Sequence, residues 1–243
     1  MLMDDYASIL IDKINAIRTT QREKIMLAAR LAAQTMLADG LIYVFGCGHS
    51  HMLAEETFYR AGGLACVSPV FYESLMLHES ASESSHLEKQ AGLAAQVLAG
   101  LHLEKRDLMI CISTSGVNAV PVEFAFAVKE QGIPVVGISS RAYDSQTANN
   151  PLGRHLFEVC DLCIDNGAPH GDACLELEGL PVKMTPVSTV TGTFILNSIL
   201  AEASALLLQQ GKQPPVYYSG NIPGGAEQNR QTIERYQERI RFL

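Results

Sequence analysis

Apolar and polar positions along the chain switch repeatedly between two periods. Four short runs rich in Val, Ile and Leu have the length and apolar character of strands buried on both faces: "LIYVF" (41–45), "DLMICIS" (107–113), "PVVGISS" (134–140) and "VCDLCID" (159–165). A fifth, "LACVSPVFY" (64–72), predicts a strand interrupted by Pro69, which has no N–H for a ladder. Between these runs apolar residues recur at the helical period. They predict helices over about 4–18, 21–38, 51–60, 118–132 and 190–209. Thr20 and Glu23 are spaced as a capping box opening the second helix, and Gly40 supplies its stop. Asn150 and Pro151 suit the N-cap and first position of a short helix ahead of the last strand. The polar stretch "ESLMLHESASESSHLEK" (73–89) predicts no element until a helix takes over near Leu87. A charged helix ends the tail, 225–243.

Strands alternating with helices make a parallel sheet covered on both faces, an α/β fold. Neither repeat nor linker breaks the sequence, so one domain is expected over 1–243, with N-terminal helices at 4–38.

Composition narrows the functions. With 47% hydrophobic and 18% charged residues, the chain belongs with globular rather than disordered proteins. A net charge of -8 argues against nucleic acid, which is held chiefly by Lys and Arg. A small phosphorylated ligand stays open, because local backbone amides can hold it. No apolar run is expected to reach the ~18–20 residues of a membrane helix. The acidic N-terminus "MLMDDYASIL" lacks the basic region of a signal peptide. A cytoplasmic location and no membrane partner are therefore expected. The six cysteines are scattered, unlike a disulfide framework. Cys160 and Cys163 form a CxxC, but positions three apart in a strand point to opposite faces, which predicts buried thiols.

Open parallel sheets bind ligands outside the carboxyl ends of their strands, and two loops there have unusual composition. In "GCGHS" (46–50), Gly46 and Gly48 permit close backbone approach, and Ser50 can cap the helix that follows. A dinucleotide fingerprint would require glycine at His51. Cys47, His49 and His51 alternate in a tight turn, a poor arrangement for a metal. In "ISTSGVNA" (112–119), Ser113, Thr114, Ser115 and Gly116 lead into a helix starting near Asn118. The loop reads either as an ordinary helix start or as a phosphate cradle with the positive helix end behind it. Three successive hydroxyls exceed what one N-cap uses.

Together "GCGHS" and "ISTSG" resemble the sugar isomerase (SIS) domain family, which includes the phosphoheptose isomerases and the isomerase half of glucosamine-6-phosphate synthase. The resemblance covers roughly residues 20–210, and "STSG" is its most specific element. It implies a three-layer sandwich around a five-stranded, parallel, flavodoxin-like sheet, a phosphosugar ligand and a homo-oligomer, dimer or tetramer. By position it implies that Ser113, Thr114, Ser115, Gly116 and Asn118 hold the phosphate, while Gly48, His49 and Ser50 face the sugar. Asn118 departs from the family, many of whose members carry Ser or Thr there. The His and Glu, four apart, that follow the glycine loop of phosphoheptose isomerases are here Glu56 and Arg60. The metal-assisted heptose mechanism therefore does not transfer, and no metal or other cofactor is expected.

Moving a proton between adjacent sugar carbons needs a carboxylate or imidazole base. Candidates at the sheet's carboxyl edge are Glu73, His78 and Glu79 in "YESLMLHES", and His170 and Asp172 in "DNGAPHGDA". Both segments also read as solvated connections. Ser188 and Thr189, at a further helix start, suit capping or substrate contact. The expected function is binding of a phosphorylated sugar and its aldose–ketose isomerisation. A non-catalytic phosphosugar regulator, and a lyase or etherase acting on an amino-sugar phosphate, stand as alternatives.

Overall fold

The computed structural model describes all 243 residues. Two helices, α1 (Leu2–Thr20) and α2 (Arg22–Leu37), precede the first strand, β1 (Ile42–Gly46). A 3-10 turn and the short α3 (Met52–Thr57) lead to β2 (Val67–Val70). Helices α4 (Ala81–Leu87) and α5 (Leu93–Ala99) precede β3 (Leu108–Ile112). Then α6 (Ala119–Glu130), β4 (Val135–Ser139), α7 (Leu156–Val159) and β5 (Leu162–Asp165) alternate. A hairpin of β6 (Ala173–Leu175) and β7 (Met184–Pro186) follows, then the long α8 (Ser188–Gln209) and the tail helix α9 (Gly225–Tyr236).

The five main strands are parallel, in the order β2-β1-β3-β4-β5. This is the flavodoxin-like order that the resemblance implied. Every residue of β1 to β4 is buried, as their continuous Val/Ile/Leu character requires. Helices α2, α3 and α8 pack together on one face, and α5, α6 and α7 cover the other. One continuous cluster of 51 buried residues joins both layers through the sheet. Each fully buried side chain such as Ile42, Ile110 or Ile138 contributes about 1.5–3 kcal/mol by leaving water.

Several local expectations are corrected. Thr20 ends α1, its hydroxyl donating to Ala16 O at 2.8 Å, and Gln21 alone separates the two helices, so no capping box forms. The chain after α2 turns at Asp39 (φ +59). Gly40 answers to space instead, since a Cβ there would lie 2.2 Å from Arg106 O. Strand β2 runs through Pro69, tolerated because β2 is an edge strand. Asn150 holds a tight turn rather than a helix start. Its Oδ1 accepts from Leu152 N at 3.1 Å, and α7 begins later behind His155, whose N–H donates to Glu158 Oε2 at 2.6 Å. Cys160 lies outside β5, so strand alternation does not separate it from Cys163. Both sulfurs sit about where a Gly137 Cβ would be met, at 2.9 and 3.0 Å. All six cysteines are free thiols, and burial pushes Cys66 and Cys163 up to about 12.

Helix α8 also departs from expectation: by length and composition it is apolar enough to cross a membrane. Here Ile195, Leu196, Ile199 and Ala203 are buried against the neighbouring helices. Gly192 admits Leu53 of α3 so closely that a Cβ would lie 2.7 Å from its Cδ2.

Candidate functional site

From β1 the chain crosses to β2 on one side, and from β3 to β4 on the other. A crevice therefore opens between the carboxyl ends of these adjacent strands, the usual ligand position in such sheets. Gly46, the last residue of β1, pairs with Ile112, the last of β3, so the two loops singled out from the sequence start side by side.

The glycine loop folds as a 3-10 turn over Gly48–His51, with Ser50 N donating to Cys47 O at 2.9 Å. The turn closes so tightly that a Cβ on Gly46 would lie 2.7 Å from the Ser50 backbone. His51 is buried, its Nδ1 against Gly48 O and its Nε2 3.3 Å from Glu55 Oε1. Ser50 is half-buried and His49 exposed.

The hydroxyl loop is held from below. Ser113 N donates to Ile138 O at 3.1 Å, and Thr114 O accepts from Ser140 N at 2.9 Å. Buried Asn166, past β5, donates its amide to Thr114 Oγ1 at 3.3 Å. Gly116 N donates to Ser113 Oγ at 3.2 Å, and Gly116 takes φ +62 with Ser139 packed against it. These bonds leave the backbone amides of Thr114, Ser115, Val117 and Asn118 without a protein acceptor, concentrated in five residues just ahead of α6, while Asn118 bridges to Asn149 alongside. The Ser115 hydroxyl likewise has no protein partner and is half-buried. Unpaired amides at a helix start attract an anion. Helix α6 starts where expected, but Asn118 does not cap it. Its Nδ2 donates to Glu88 Oε1 at 3.0 Å.

A third segment, residues 71–88, runs from β2 across both loops. Leu77 reaches over Gly48, and the His78 ring lies 6.3 Å from that of His51. Ser84 Oγ, donating to Leu75 O at 2.8 Å, ties α4 to the preceding turn, and Glu88 closes the segment on Asn118. His78 is thus brought near the glycine loop, exposed and 3.8 Å from exposed Glu79. Glu73 is exposed beside Tyr72, Arg241 and Phe242, where it lines a separate cavity near the tail. A neighbouring cavity of about 450 Å³, lined by Tyr43, Phe71, Gln96 and Arg239 among others, contains no residue of either loop.

His170 stacks on Tyr143, with ring centroids 4.7 Å apart. Asp172 accepts from Val187 N (3.1 Å), Ser188 N (2.8 Å) and Ser188 Oγ (2.5 Å), so its carboxylate caps α8 and takes up Ser188. Thr189 is half-buried in that first turn. Glu56 and Arg60 form an ion pair with each other, and no three His, Cys, Asp or Glu side chains converge as a metal site.

The residues that the sequence did not single out are Glu55, Glu88 and Asn166. For Glu55, the i, i+4 spacing from His51 was the available signal. Glu88 meets Asn118 across 30 positions of sequence, and Asn166 meets Thr114 across 52, contacts that only the fold creates.

A strand-end glycine turn facing a hydroxyl-rich loop, on a 2-1-3-4-5 sheet, defines the class. The chain belongs to the SIS domain family, whose model matches residues 5–140. Over its full length it is 42% identical to the "UPF0309 protein" of Geobacillus thermodenitrificans, covering 98% of that protein. Over 92% of its length it is 46% identical to the "UPF0309 protein BH0227" of Halalkalibacterium halodurans, covering 90% of it. The fold is similar to that of phosphoheptose isomerase GmhA from Neisseria gonorrhoeae. The TM-score is 0.52 at 19% identity, over 85% of this chain and 99% of that one.

Proposed function

We propose that the protein binds a phosphorylated sugar in the crevice between β1 and β3 and interconverts its aldose and ketose forms. The observation that carries this reading is the group of four unpaired amides, with the free Ser115 hydroxyl, at the start of α6. A dianionic phosphate there gains charge-assisted hydrogen bonds, and the sugar then extends toward Ser50 and the glycine loop. Membership of the SIS family and a fold shared with a phosphoheptose isomerase support the ligand class. Within the crevice, Ser113 and Thr114 shape the loop, Ser115 and Asn118 face the phosphate, and Gly48 lets the opposite loop approach. Ser188 and Asp172 act on each other, as a cap for α8.

A thermal-shift screen against sugar phosphates, followed by proton exchange of each hit in deuterated water, tests the reading. Stabilisation with exchange supports isomerisation, whereas stabilisation without it favours a phosphosugar sensor. Ser115→Ala is expected to weaken the phosphosugar about ten- to a hundred-fold, the worth of one charge-assisted hydrogen bond, and to leave the unphosphorylated sugar unchanged. Calorimetry on both ligands checks it, and equal losses would remove the phosphate from this loop.

The same reading includes a homodimer. Met3 and Ile11 on α1 and Leu27 on α2 are exposed, an apolar excess that a second copy could cover. Light scattering at micromolar concentration is expected to give twice the chain mass of 26.4 kDa, and a monomer would remove the claim.

A further inference from the structure

Glu88 is a carboxylate that the fold carries into the crevice from a segment with no strong sequence signal. It lies just past α4, where Oε1 accepts from Asn118 Nδ2 at 3.0 Å and Oε2 has no protein partner. Its backbone carbonyl takes the Val120 N–H at 3.0 Å, fixing the residue against the first turn of α6. On its other side lies the glycine loop. Burial first, and then the Glu88 charge, push the Cys47 thiol well up from its ordinary value. Burial likewise raises the Glu88 carboxyl, partly offset by the Asn118 hydrogen bond and by Lys89. The other acids nearby are exposed or engaged: Glu73 and Glu79 are exposed, Glu55 faces His51, and Asp172 caps α8.

We propose that Glu88 is the proton-transfer residue of the crevice, acting on the carbon beside the carbonyl of a phosphosugar whose phosphate lies on the 113–119 loop. This rests on the sugar-phosphate reading above. A Glu88 carboxylate oxygen takes the proton from C2 of the open-chain aldose phosphate. The C2–H electron pair becomes the C1–C2 π bond, and the carbonyl pair takes a proton from solvent at O1, giving an enediol. Glu88 then returns its proton to C1 while the O2 hydroxyl loses one to solvent, which yields the ketose and restores the carboxylate. C1 is reduced and C2 oxidised within one molecule, so the step needs no outside oxidant or reductant. A half-buried carboxyl with one oxygen free, its position fixed by the Asn118 amide, suits this transfer better than a fully exposed one.

The test uses the full chain and a panel of hexose 6-phosphates in both aldose and ketose forms, together with 2-acetamido-hexose 6-phosphates. Nuclear magnetic resonance follows exchange of the C2 proton with deuterated water, and calorimetry gives the affinity of the same compounds. Glu88→Gln keeps an acceptor for Asn118 Nδ2 but removes the base. It is expected to slow exchange about 10²- to 10⁴-fold with affinity and melting temperature unchanged. Exchange as fast as in the wild type would overturn the assignment, as would wild-type binding without any exchange, and both leave the binding reading intact. If no compound in the panel binds the wild type, the sugar-phosphate reading falls and Glu88's role falls with it.

Discussion

Gly116→Ala is expected to destabilise the fold by about 2–5 kcal/mol and to abolish binding of a phosphorylated ligand even under conditions where the variant stays folded. Two separate costs add. The residue sits at φ +62, where an L side chain costs about 1–2 kcal/mol. A Cβ would also lie 2.5 Å from Ser139 Oγ and 3.2 Å from Leu156 Cβ. Ser139 is buried at the end of β4 and Leu156 is fully buried in α7, so neither retreats without moving its element. Overpacking of this kind costs about 1–3 kcal/mol. Gly48→Ala is the control. It shares the left-handed conformation, at φ +55, but its Cβ would meet only Leu77 Cδ2, at 4.0 Å. Urea denaturation of both variants separates strain from collision. Equal losses would mean that Ser139 and Leu156 do not constrain the loop, and with them would go the account of how β4 holds it.

The sheet was legible because its strands are apolar on both faces. A run such as "LMICI" has no polar position to confuse its reading, and parallel order follows from the helices between the runs. The segments that escaped are those whose energetics are not apolar. Helix α4, "ASESSHL", buries only Ser84, so it carries no hydrophobic stripe. The signal it does carry is Ser80 followed by Glu83, the spacing of a capping box, and Ser80 Oγ accepts from Glu83 N at 3.4 Å. Weighing that signal would have placed a helix across the crevice and Glu88 beyond its end. The β6–β7 hairpin is still quieter. Its strands are three residues each and bury only Leu175 fully, too short to show the alternation that marks a half-buried strand.

Of the site, the sequence displayed what depends on backbone geometry and local composition, and concealed what depends on contact. Two glycines, three hydroxyls and a helix start lie in short stretches and can be read in place. The division of labour among the acids cannot. Asp172 and Glu88 are both carboxylates near a strand end. One is consumed by Val187, Ser188 and the start of α8, whereas the other keeps a free oxygen beside Asn118. That difference is set by partners 15 to 30 residues away.

The second large effect lies at the opposite edge of the sheet, where the tail is tied to the core. Arg239→Met is expected to cost about 3–5 kcal/mol, although it keeps the length and much of the apolar body of the side chain. The reason is Asp107, whose side chain is 0% exposed just ahead of β3. Its Oδ1 accepts from Leu41 N at 2.8 Å and its Oδ2 from Glu104 N at 2.7 Å, clamping the starts of β1 and β3 together. The compensating charge comes from Arg239, whose Nη2 lies 3.0 and 2.8 Å from the two oxygens and whose Nε pairs with Glu104. Burial, and then the Asp107 charge, push neighbouring Tyr43 up to about 12. Removing the guanidinium leaves a buried carboxylate with backbone donors but no cation, and breaking one partner of such a pair is costlier than replacing both. Asp107→Asn alone should therefore be destabilising, but Asp107→Asn combined with Arg239→Met should lose less than the sum of the two single changes. Chemical denaturation of the four proteins measures the coupling. Strict additivity, or an Arg239→Met loss below about 1 kcal/mol, the range of an exposed ion pair, would mean that the tail is not held by this charge.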